Sequence, residues 1–219
     1  TDSVRVDFGN GLELPVVAAA WYQLGNAYKR SGQHDEAVDA FHHVTTMESV
    51  EESFRSLVQF QVAETRFLQK QFPEAAEEYK RYVNLFPDSE LVGQALFYSG
   101  WSEFNDKKYD PAIATLTDML ERYPEDRYAP DSQFRIASSH YEKENFTKAV
   151  SEADIVLERY PNSPVIAQAT YLRAQSYDKM GRDEEAITAY RNVRDLYDRM
   201  FELLRGSFRE RKNVDFENY

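Results

Sequence analysis

Residues 87–124 read PDSELVGQALFYSGWSEFNDKKYDPAIATLTDMLERYP. Small or apolar residues recur at helical spacing over residues 96–104, and they recur again over residues 112–123. A polar segment, residues 105–108, separates the two runs. The stretch therefore predicts two helices joined by a short turn, a helical hairpin.

The ends of these two helices carry recognisable signals. Asp88 and Ser89 precede the first run, and such side chains cap helices by accepting hydrogen bonds from free backbone N–H groups. Asp110 precedes the second run, with Pro111 in the first turn, where its missing N–H costs nothing. We therefore expect Asp88 or Ser89 to cap the first helix and Asp110 to cap the second.

The hairpin recurs along the chain, because three registers keep one period of 37 or 38 residues. One register holds only alanine: Ala37, Ala75, Ala112, Ala149 and Ala186. A second holds glycine or alanine: Gly25, Ala63, Gly100, Ala137 and Ala174. Proline fills a third: Pro87, Pro124 and Pro161. We expect the small residue of each first helix to face the alanine of the second, so that the two backbones approach closely.

This period sets the predicted domain organisation. Five repeats, at about residues 18–51, 56–89, 93–126, 130–163 and 167–200, form one domain over residues 16–205. A lead-in segment, residues 1–15, precedes it and contains a short candidate strand at residues 4–8. A polar tail, residues 206–219, follows. A single hairpin cannot bury both of its faces, so the hairpins are expected to stack into an all-α, right-handed α-solenoid.

Composition excludes several classes of function. The net charge is −12, which disfavours binding to nucleic acid or to an anionic membrane surface. Without cysteine there are no disulfides and no thiolate nucleophiles. No stretch of 18 apolar residues predicts a membrane span, and the start of the sequence does not resemble a signal peptide. It also lacks an initiator methionine, so we expect a processed product or a fragment.

The first repeat matches a known signature. Its residues Trp21, Leu24, Gly25, Tyr28, Ala37 and Phe41 stand at the offsets of the tetratricopeptide-repeat pattern W-x2-L-G-x2-Y…A-x3-F. The later repeats keep the small residue and the alanine, so the chain resembles this family throughout. The 37-residue unit and the aromatic-Pro connectors resemble its bacterial envelope branch, which includes BamD-like assembly lipoproteins and Tol-Pal-associated proteins. This resemblance implies an envelope scaffold that binds protein partners.

The resemblance also implies where partners bind. In similar proteins, positions 5, 9 and 12 of each repeat, counted here from residues 18, 56, 93, 130 and 167, line a concave groove. In this chain the candidate groove residues are Tyr22, Asn26, Phe60, Phe67, Phe97, Trp101, Phe104, Phe134, Tyr141 and Tyr171. The alternative is that the aromatics at positions 5 and 12 pack in the core, since Arg66, Glu103 and His140 occupy the signature's tyrosine position. Trp101 is the residue that we expect to be most exposed.

Other kinds of site find little support. Asn26 alone matches the lysine and asparagine clamp that some members use for a C-terminal carboxylate, because Tyr22, Gln61, Gln94 and Tyr98 fill its other registers. His42 and His43 point about 100° apart on a helix, which is unsuitable for one metal ion. No nucleophile or phosphate-loop motif occurs. We therefore expect no enzyme activity, no cofactor and no metal.

The predicted function is a protein-interaction scaffold that binds a partner peptide or helix, with a periplasmic or outer-membrane-associated location favoured over the cytoplasm. Two alternatives stay open: a self-associating structural module, forming a homo-oligomer, and a regulatory region of a larger protein. The last helix is expected to be longer than its counterparts and basic at its end, through Arg199, Arg205, Arg209, Arg211 and Lys212. That end is either a solubilising cap or a docking element for an acidic partner or a second copy.

Overall fold

The structure, a computed structural model, describes residues 4–9 and 11–216, with side chains through Arg199 and at Phe201. Of the predicted lead-in and tail, residues 1–3, 10 and 217–219 lie outside this range. The described chain forms two strands, β1 (Arg5–Asp7) and β2 (Glu13–Pro15), and ten helices. The helices are α1 (Val16–Ser31), α2 (His34–Thr45), α3 (Glu52–Leu68), α4 (Phe72–Leu85), α5 (Val92–Asn105), α6 (Tyr109–Arg122), α7 (Ala129–Glu142), α8 (Phe146–Arg159), α9 (Ile166–Lys179) and α10 (Asp183–Phe216).

Five helical hairpins make up this architecture, as the repeat predicts. Each odd-numbered helix packs on the even-numbered helix that follows it. An aromatic residue opens three of the second helices, Phe72 in α4, Tyr109 in α6 and Phe146 in α8. The all-α class and the hairpin repeat are therefore confirmed, and the right-handed sense of the superhelix stays a prediction.

The chain divides into two compact units, unit 1 (Thr1–Tyr128) and unit 2 (Ala129–Tyr219). Unit 1 contains α1 to α6 and the β-hairpin. Strand β1 pairs antiparallel with β2, and Val6 lies opposite Leu14, which is fully buried among the side chains of α1 to α3. Unit 2 contains α7 to α10, and its core includes two small clusters around Leu172 and Val156.

The small residues lie where each hairpin is tightest, but their partners differ from the prediction. All five alanines of the second helices are buried. A Cβ atom on Gly25 would lie 2.5 Å from Cε1 of Phe41, and one on Gly100 would lie 2.5 Å from Cγ of Leu116. The glycines therefore face the large residue four positions after the alanine, not the alanine itself, because that residue projects into the gap between the two helices.

Helix ends depart from the prediction in two ways. Helix α5 begins at Val92, and Oγ of Ser89 hydrogen-bonds to Oη of Tyr82 and accepts from the N–H of Leu91, so neither Asp88 nor Ser89 is the cap residue. Helix α6 begins at Tyr109, one residue before Asp110, so Asp110 does not cap it. Neither helix start has a cap hydrogen bond from the side chain of its N-cap residue, Leu91 for α5 and Lys108 for α6.

The turns inside the hairpins share one left-handed residue. Gly32 and Gly181 have φ angles of 78° and 68°, the left-handed conformation that glycine commonly adopts after the end of a helix. Lys70, Lys107 and Glu144 adopt φ angles of 60°, 61° and 58° at the same position of the other repeats. The residue after each of them donates a backbone hydrogen bond to the last turn of the first helix. This bond stabilises a conformation that non-glycine residues rarely adopt.

Helix α10 is longer than the sequence boundaries suggest. It runs for 34 residues to Phe216 and continues through most of the segment predicted as a polar tail from residue 206. The other second helices have 12 or 14 residues. Helix α10 therefore continues well beyond the length at which the other second helices end.

The tight contact at Gly100 generates a stability prediction. We expect Gly100→Val to lower the free energy of unfolding by about 1–3 kcal/mol, because the added carbons must displace the buried Leu116. Urea denaturation of the full chain measures this change.

The matched control is Ala114→Val on α6, where the residue is exposed. This control should change stability by no more than about 0.7 kcal/mol, the helix propensity of valine relative to alanine. Equal effects of the two substitutions would contradict the close approach of α5 and α6.

Candidate functional site

The first helices of unit 1, α1, α3 and α5, present side chains to one common face. Between α1 and α3, Nε2 of Gln61 donates to Oη of Tyr22 over 3.2 Å. Further along the same two helices, Nζ of Lys29 lies 3.1 Å from Oε2 of Glu64. Consecutive first helices are thus joined by polar side chains that remain partly or largely exposed.

Aromatic rings join α3 to α5 on the same face. The ring of Phe67 meets Tyr98 and Trp101 edge-on, with centroid distances of 5.2 and 5.1 Å. Tyr98 and Trp101 lie nearly parallel, with centroids 5.8 Å apart. All three rings are partly exposed. They form an apolar platform that is held in place by mutual contact.

Tyr128, just before α7, extends this platform. Its ring stacks on Phe97 at 4.6 Å, and the guanidinium of Arg127 lies 4.6 Å from its centroid. Nη2 of Arg127 donates to Oη of Tyr128 over 2.8 Å and to Oε1 of Gln94 over 3.1 Å. We use the name aromatic face for the surface formed by Tyr22, Lys29, Gln61, Glu64, Phe67, Gln94, Tyr98, Trp101 and Tyr128.

The hydroxyl groups near this face keep their protons strongly. Burial, a hydrogen bond with Tyr128 and the nearby Glu64 carboxylate raise the pKa of Tyr98 to about 12. Burial, together with the same carboxylate, raises the pKa of Tyr79 beneath the platform. Both phenols are therefore neutral at physiological pH and are available as hydrogen-bonding groups.

The ten sequence-predicted groove residues divide into several environments. Tyr22, Asn26, Phe67 and Trp101 are partly exposed in unit 1. Phe60 and Phe97 are buried, so the expectation that every position-5 aromatic floors the groove is not met. Trp101 is only partly exposed, because Phe67, Phe97 and Tyr98 pack around it.

The aromatics at position 12 have a packing role within their own hairpins. Each meets, edge-on, the aromatic residue that opens the following helix, and the pairs are Phe67 with Phe72, Phe104 with Tyr109, and Tyr141 with Phe146. Centroid distances lie between 5.4 and 5.8 Å. These pairs support the core-packing alternative for this position, although Phe67 also contributes to the aromatic face.

Unit 2 contains the remaining three predicted groove residues. Phe134 is partly buried and packs against both apolar clusters of the unit. Tyr171 is exposed, and its ring lies 6.0 Å from that of Tyr190. Burial and the carboxylates of Glu142 and Asp178 raise the pKa of Tyr141. Its phenol is therefore also neutral at physiological pH.

The sequence-predicted groove residues include three of the aromatic face, Tyr22, Phe67 and Trp101. They include neither its other two aromatic residues, Tyr98 and Tyr128, nor its polar residues. The registers of the carboxylate clamp contained a usable signal, since Gln61, Gln94 and Tyr98 occupy them and all three lie on the face. Tyr128 lies in the connector between α6 and α7, outside the helical positions at which the 37-residue period is read, so the period does not point to it.

Arg66 and Glu103, which stand at the signature's tyrosine position, form polar links between helices. Arg66 of α3 donates to Asp35 of α2 and to Gln71. Glu103 of α5 is buried, pairs with Lys80 of α4, and accepts from Oγ1 of Thr115 over 2.7 Å. Burial of this carboxylate is tolerated because its oxygens have a cation and a hydroxyl as partners.

Unit 2 also contains an open cleft of about 1200 Å³, which the sequence did not predict. It lies between the connector that precedes α9 and the middle of α10. Apolar residues such as Leu157, Ile166 and Leu196 line it together with charged residues such as Arg173 and Asp195. Nη1 of Arg173 is paired with Asp154 over 2.8 Å.

Neither a metal centre nor a membrane-spanning helix emerges from the described part of the chain. There, no three histidine, cysteine, aspartate or glutamate side chains are grouped so that they could bind a metal ion. No described helix combines the length and apolar character needed to cross a bilayer. The aromatic face therefore stands as the candidate site.

Comparison with known families identifies the repeats. A family model described as outer membrane lipoprotein matches residues 89–213, and two models described as tetratricopeptide repeat match residues 18–47 and 57–89. Among curated proteins, none matches the sequence.

Solved structures show the same fold. MamA (AMB-1) is 20% identical, with a TM-score of 0.60 over 83% of this chain and 92% of MamA. A second MamA structure is 16% identical, with a TM-score of 0.65 over 81% and 90% of the two chains. A Podosopora anserina protein of nearly identical TPR-like repeats is 18% identical, with a TM-score of 0.63 over 84% and 96%. At these identities the likeness shows the shared helical-repeat fold alone.

The raised pKa of Tyr98 generates a prediction about pH. Because the folded state favours the protonated phenol, its contribution to stability is complete below about pH 10 and is lost as the pH rises toward 12. We expect Tyr98→Phe to reduce the loss of stability between about pH 9 and pH 11, as measured by urea denaturation.

Tyr197→Phe serves as the control, because this tyrosine is exposed on α10. A Tyr98→Phe protein that loses as much stability as the wild type and the control would show that the Tyr98 phenol is not held in its protonated form.

Proposed function

The chain belongs to the outer membrane lipoprotein family, whose model matches more than half of its length, and from this we propose that it is a non-catalytic scaffold in a bacterial envelope assembly. Tetratricopeptide repeats are protein-interaction modules, which supports the coarse function directly. The finer proposal names the surface. The aromatic face of unit 1 binds a helix or an extended segment of a partner protein.

The observation that carries this proposal is the ring platform of Tyr98, Trp101 and Tyr128. Partly exposed aromatic side chains that are fixed by their neighbours lose little conformational entropy on binding, and tyrosine and tryptophan dominate the energetic centres of interfaces. The three rings contact one another or Phe97, so the platform is ordered before a partner arrives. It therefore supplies apolar contact at a low entropic cost.

Polar groups at the two edges of the ring platform orient the bound partner. Lys29 and Glu64 lie toward α1, whereas Gln94 and Arg127 lie toward Tyr128. A partner that places apolar side chains on the rings can exchange hydrogen bonds with the groups at either edge. This arrangement of an apolar centre with a polar rim is typical of specific protein interfaces.

We predict that Trp101→Ala combined with Tyr128→Ala abolishes capture of the partners that the wild-type chain retains from envelope extracts. The loss should be at least about tenfold in quantitative mass spectrometry, because the platform contains the expected energetic centre of the interface. The purified variant must keep the helical circular dichroism of the wild type.

The matched control is Leu85→Ala on α4, an exposed apolar residue outside the aromatic face. It should leave the captured set unchanged. Retention of every partner by the folded double variant would refute binding at the aromatic face. Recovery of the native protein only in the soluble cytosolic fraction would refute the envelope location separately, without affecting the first result.

A further inference from the structure

Helix α10 contains residues equivalent to those of α4 that α5 covers. The 37-residue period places Tyr190 at the position of Tyr79 in α4 and Arg191 at the position of Lys80. In unit 1, helix α5 packs over this surface of α4. Among the described residues of unit 2, α10 packs on α9, and its opposite side is open.

The exposures of equivalent residues measure this difference. Ala76, Tyr79 and Phe86, from α4 and the connector after it, are 7, 1 and 7% exposed, in the part of unit 1 where α5 packs on α4. Their equivalents in α10 are Ile187, Tyr190 and Tyr197, which are 51, 36 and 56% exposed. With Phe201, which is also exposed, these residues follow the spacing of 3, 7 and 4 residues that places side chains on one side of a helix. We name this set the α10 stripe.

The covered surface shows which groups the open one lacks. Tyr79 lies between two rings, Phe60 of its own hairpin at 5.5 Å and Tyr98 of α5, stacked at 5.6 Å. Tyr190 has the first kind of neighbour, Tyr171 at 6.0 Å. No ring in the described part of the chain takes the place of Tyr98 on its other side. The vacant position is therefore suited to a planar aromatic side chain.

Charge indicates a second group that a helix packed on α10 has to provide. Lys80 of α4 pairs with Glu103 of α5, and in unit 2 Asp154, at the same repeat position of α8, pairs with Arg173 of α9. In both cases this position of a second helix pairs with the opposite charge on the next first helix. In α10 the position holds the exposed Arg191, so the matching group is a carboxylate.

We propose that the α10 stripe binds an amphipathic helix of a partner protein that presents an aromatic residue to Tyr190 and a carboxylate, five residues later, to Arg191. The spacing is that of Tyr98 and Glu103 in α5. A second copy of this chain fits less well, because residues 191–212 contain seven basic and four acidic residues, so two such helices repel each other. The site is separate from the aromatic face of unit 1.

The test uses the full chain and a peptide with the sequence of α5, residues 91–106, labelled at its end. A hydrocarbon link between positions 100 and 104 keeps this short peptide helical, on the side that faces α6 in the chain. We expect saturable binding by fluorescence anisotropy below about 1 mM. Tyr190→Ala should weaken it by about tenfold, as should Tyr98→Ala in the peptide.

A charge exchange makes the experiment specific. Arg191→Glu should weaken binding of the unchanged peptide by about fivefold or more, and it should restore binding of a peptide that carries Glu103→Lys. Trp101→Ala in the chain is the matched control, and it should have no effect if the peptide binds at α10. Equal affinities for wild-type chain and the Tyr190→Ala and Arg191→Glu variants would overturn the proposal, as would the absence of saturable binding.

Sedimentation of the chain alone tests the other occupant. We expect the chain to remain monomeric at concentrations that bind the peptide. A dimer that Tyr197→Glu dissociates and that the peptide does not disrupt would assign the α10 stripe to a second copy and overturn the proposed partner helix.

Discussion

The close approach of the two helices in each hairpin is the constraint on which the rest of the structure depends. At Gly25 and Gly100 no Cβ atom fits, because Phe41 and Leu116 project from the second helix into that space. The buried alanines allow the same approach from the other side. With the hairpin this narrow, helices α3, α5 and α9 each have one side packed on the preceding second helix and another side that faces outward. Apart from Tyr128, which lies in a connector, the aromatic face of unit 1 consists of outward-facing residues of first helices.

The repeat makes equivalent positions comparable, so departures from it become informative. Position 11 of the repeats, the position of the signature tyrosine, is occupied by tyrosine in two repeats. In the others it is occupied by Arg66, Glu103 and His140. Arg66 and Glu103 use the change to form ion pairs with the preceding second helix. A pair of opposite charges across a helix–helix contact favours one neighbour over another, because a like charge in the same place is repelled. Such pairs thus contribute to the order in which hairpins stack.

Most of the architecture could be predicted from the sequence, because small residues and prolines recur along the chain at one period, and this period defines the hairpins. The five hairpins, the aromatic residues that open α4, α6 and α8, and the left-handed Gly32 and Gly181 all follow from local rules. The helix ends were predicted less well, since neither Ser89 nor Asp110 is a cap residue. The Ser89 hydroxyl is hydrogen-bonded to Tyr82 of α4, a contact that the local sequence does not reveal. The left-handed Lys70, Lys107 and Glu144 were missed for a different reason. Residues other than glycine rarely adopt such φ angles, and here a backbone hydrogen bond from the next residue to the preceding helix stabilises them.

The candidate site was less predictable, because exposure depends on neighbours that a single repeat does not reveal. Phe97 and Tyr98 are adjacent aromatic residues, yet Phe97 is buried and Tyr98 is partly exposed. Helix geometry turns consecutive side chains by about 100°, and only the position of the next hairpin determines which one it covers. The same dependence distinguishes Tyr79 from Tyr190, which have the same side chain at the same repeat position. Tyr79 is a core residue because α5 covers it, whereas Tyr190 is a surface residue because its side of α10 is open. The role of a repeat position in this protein is therefore determined by what packs next to it.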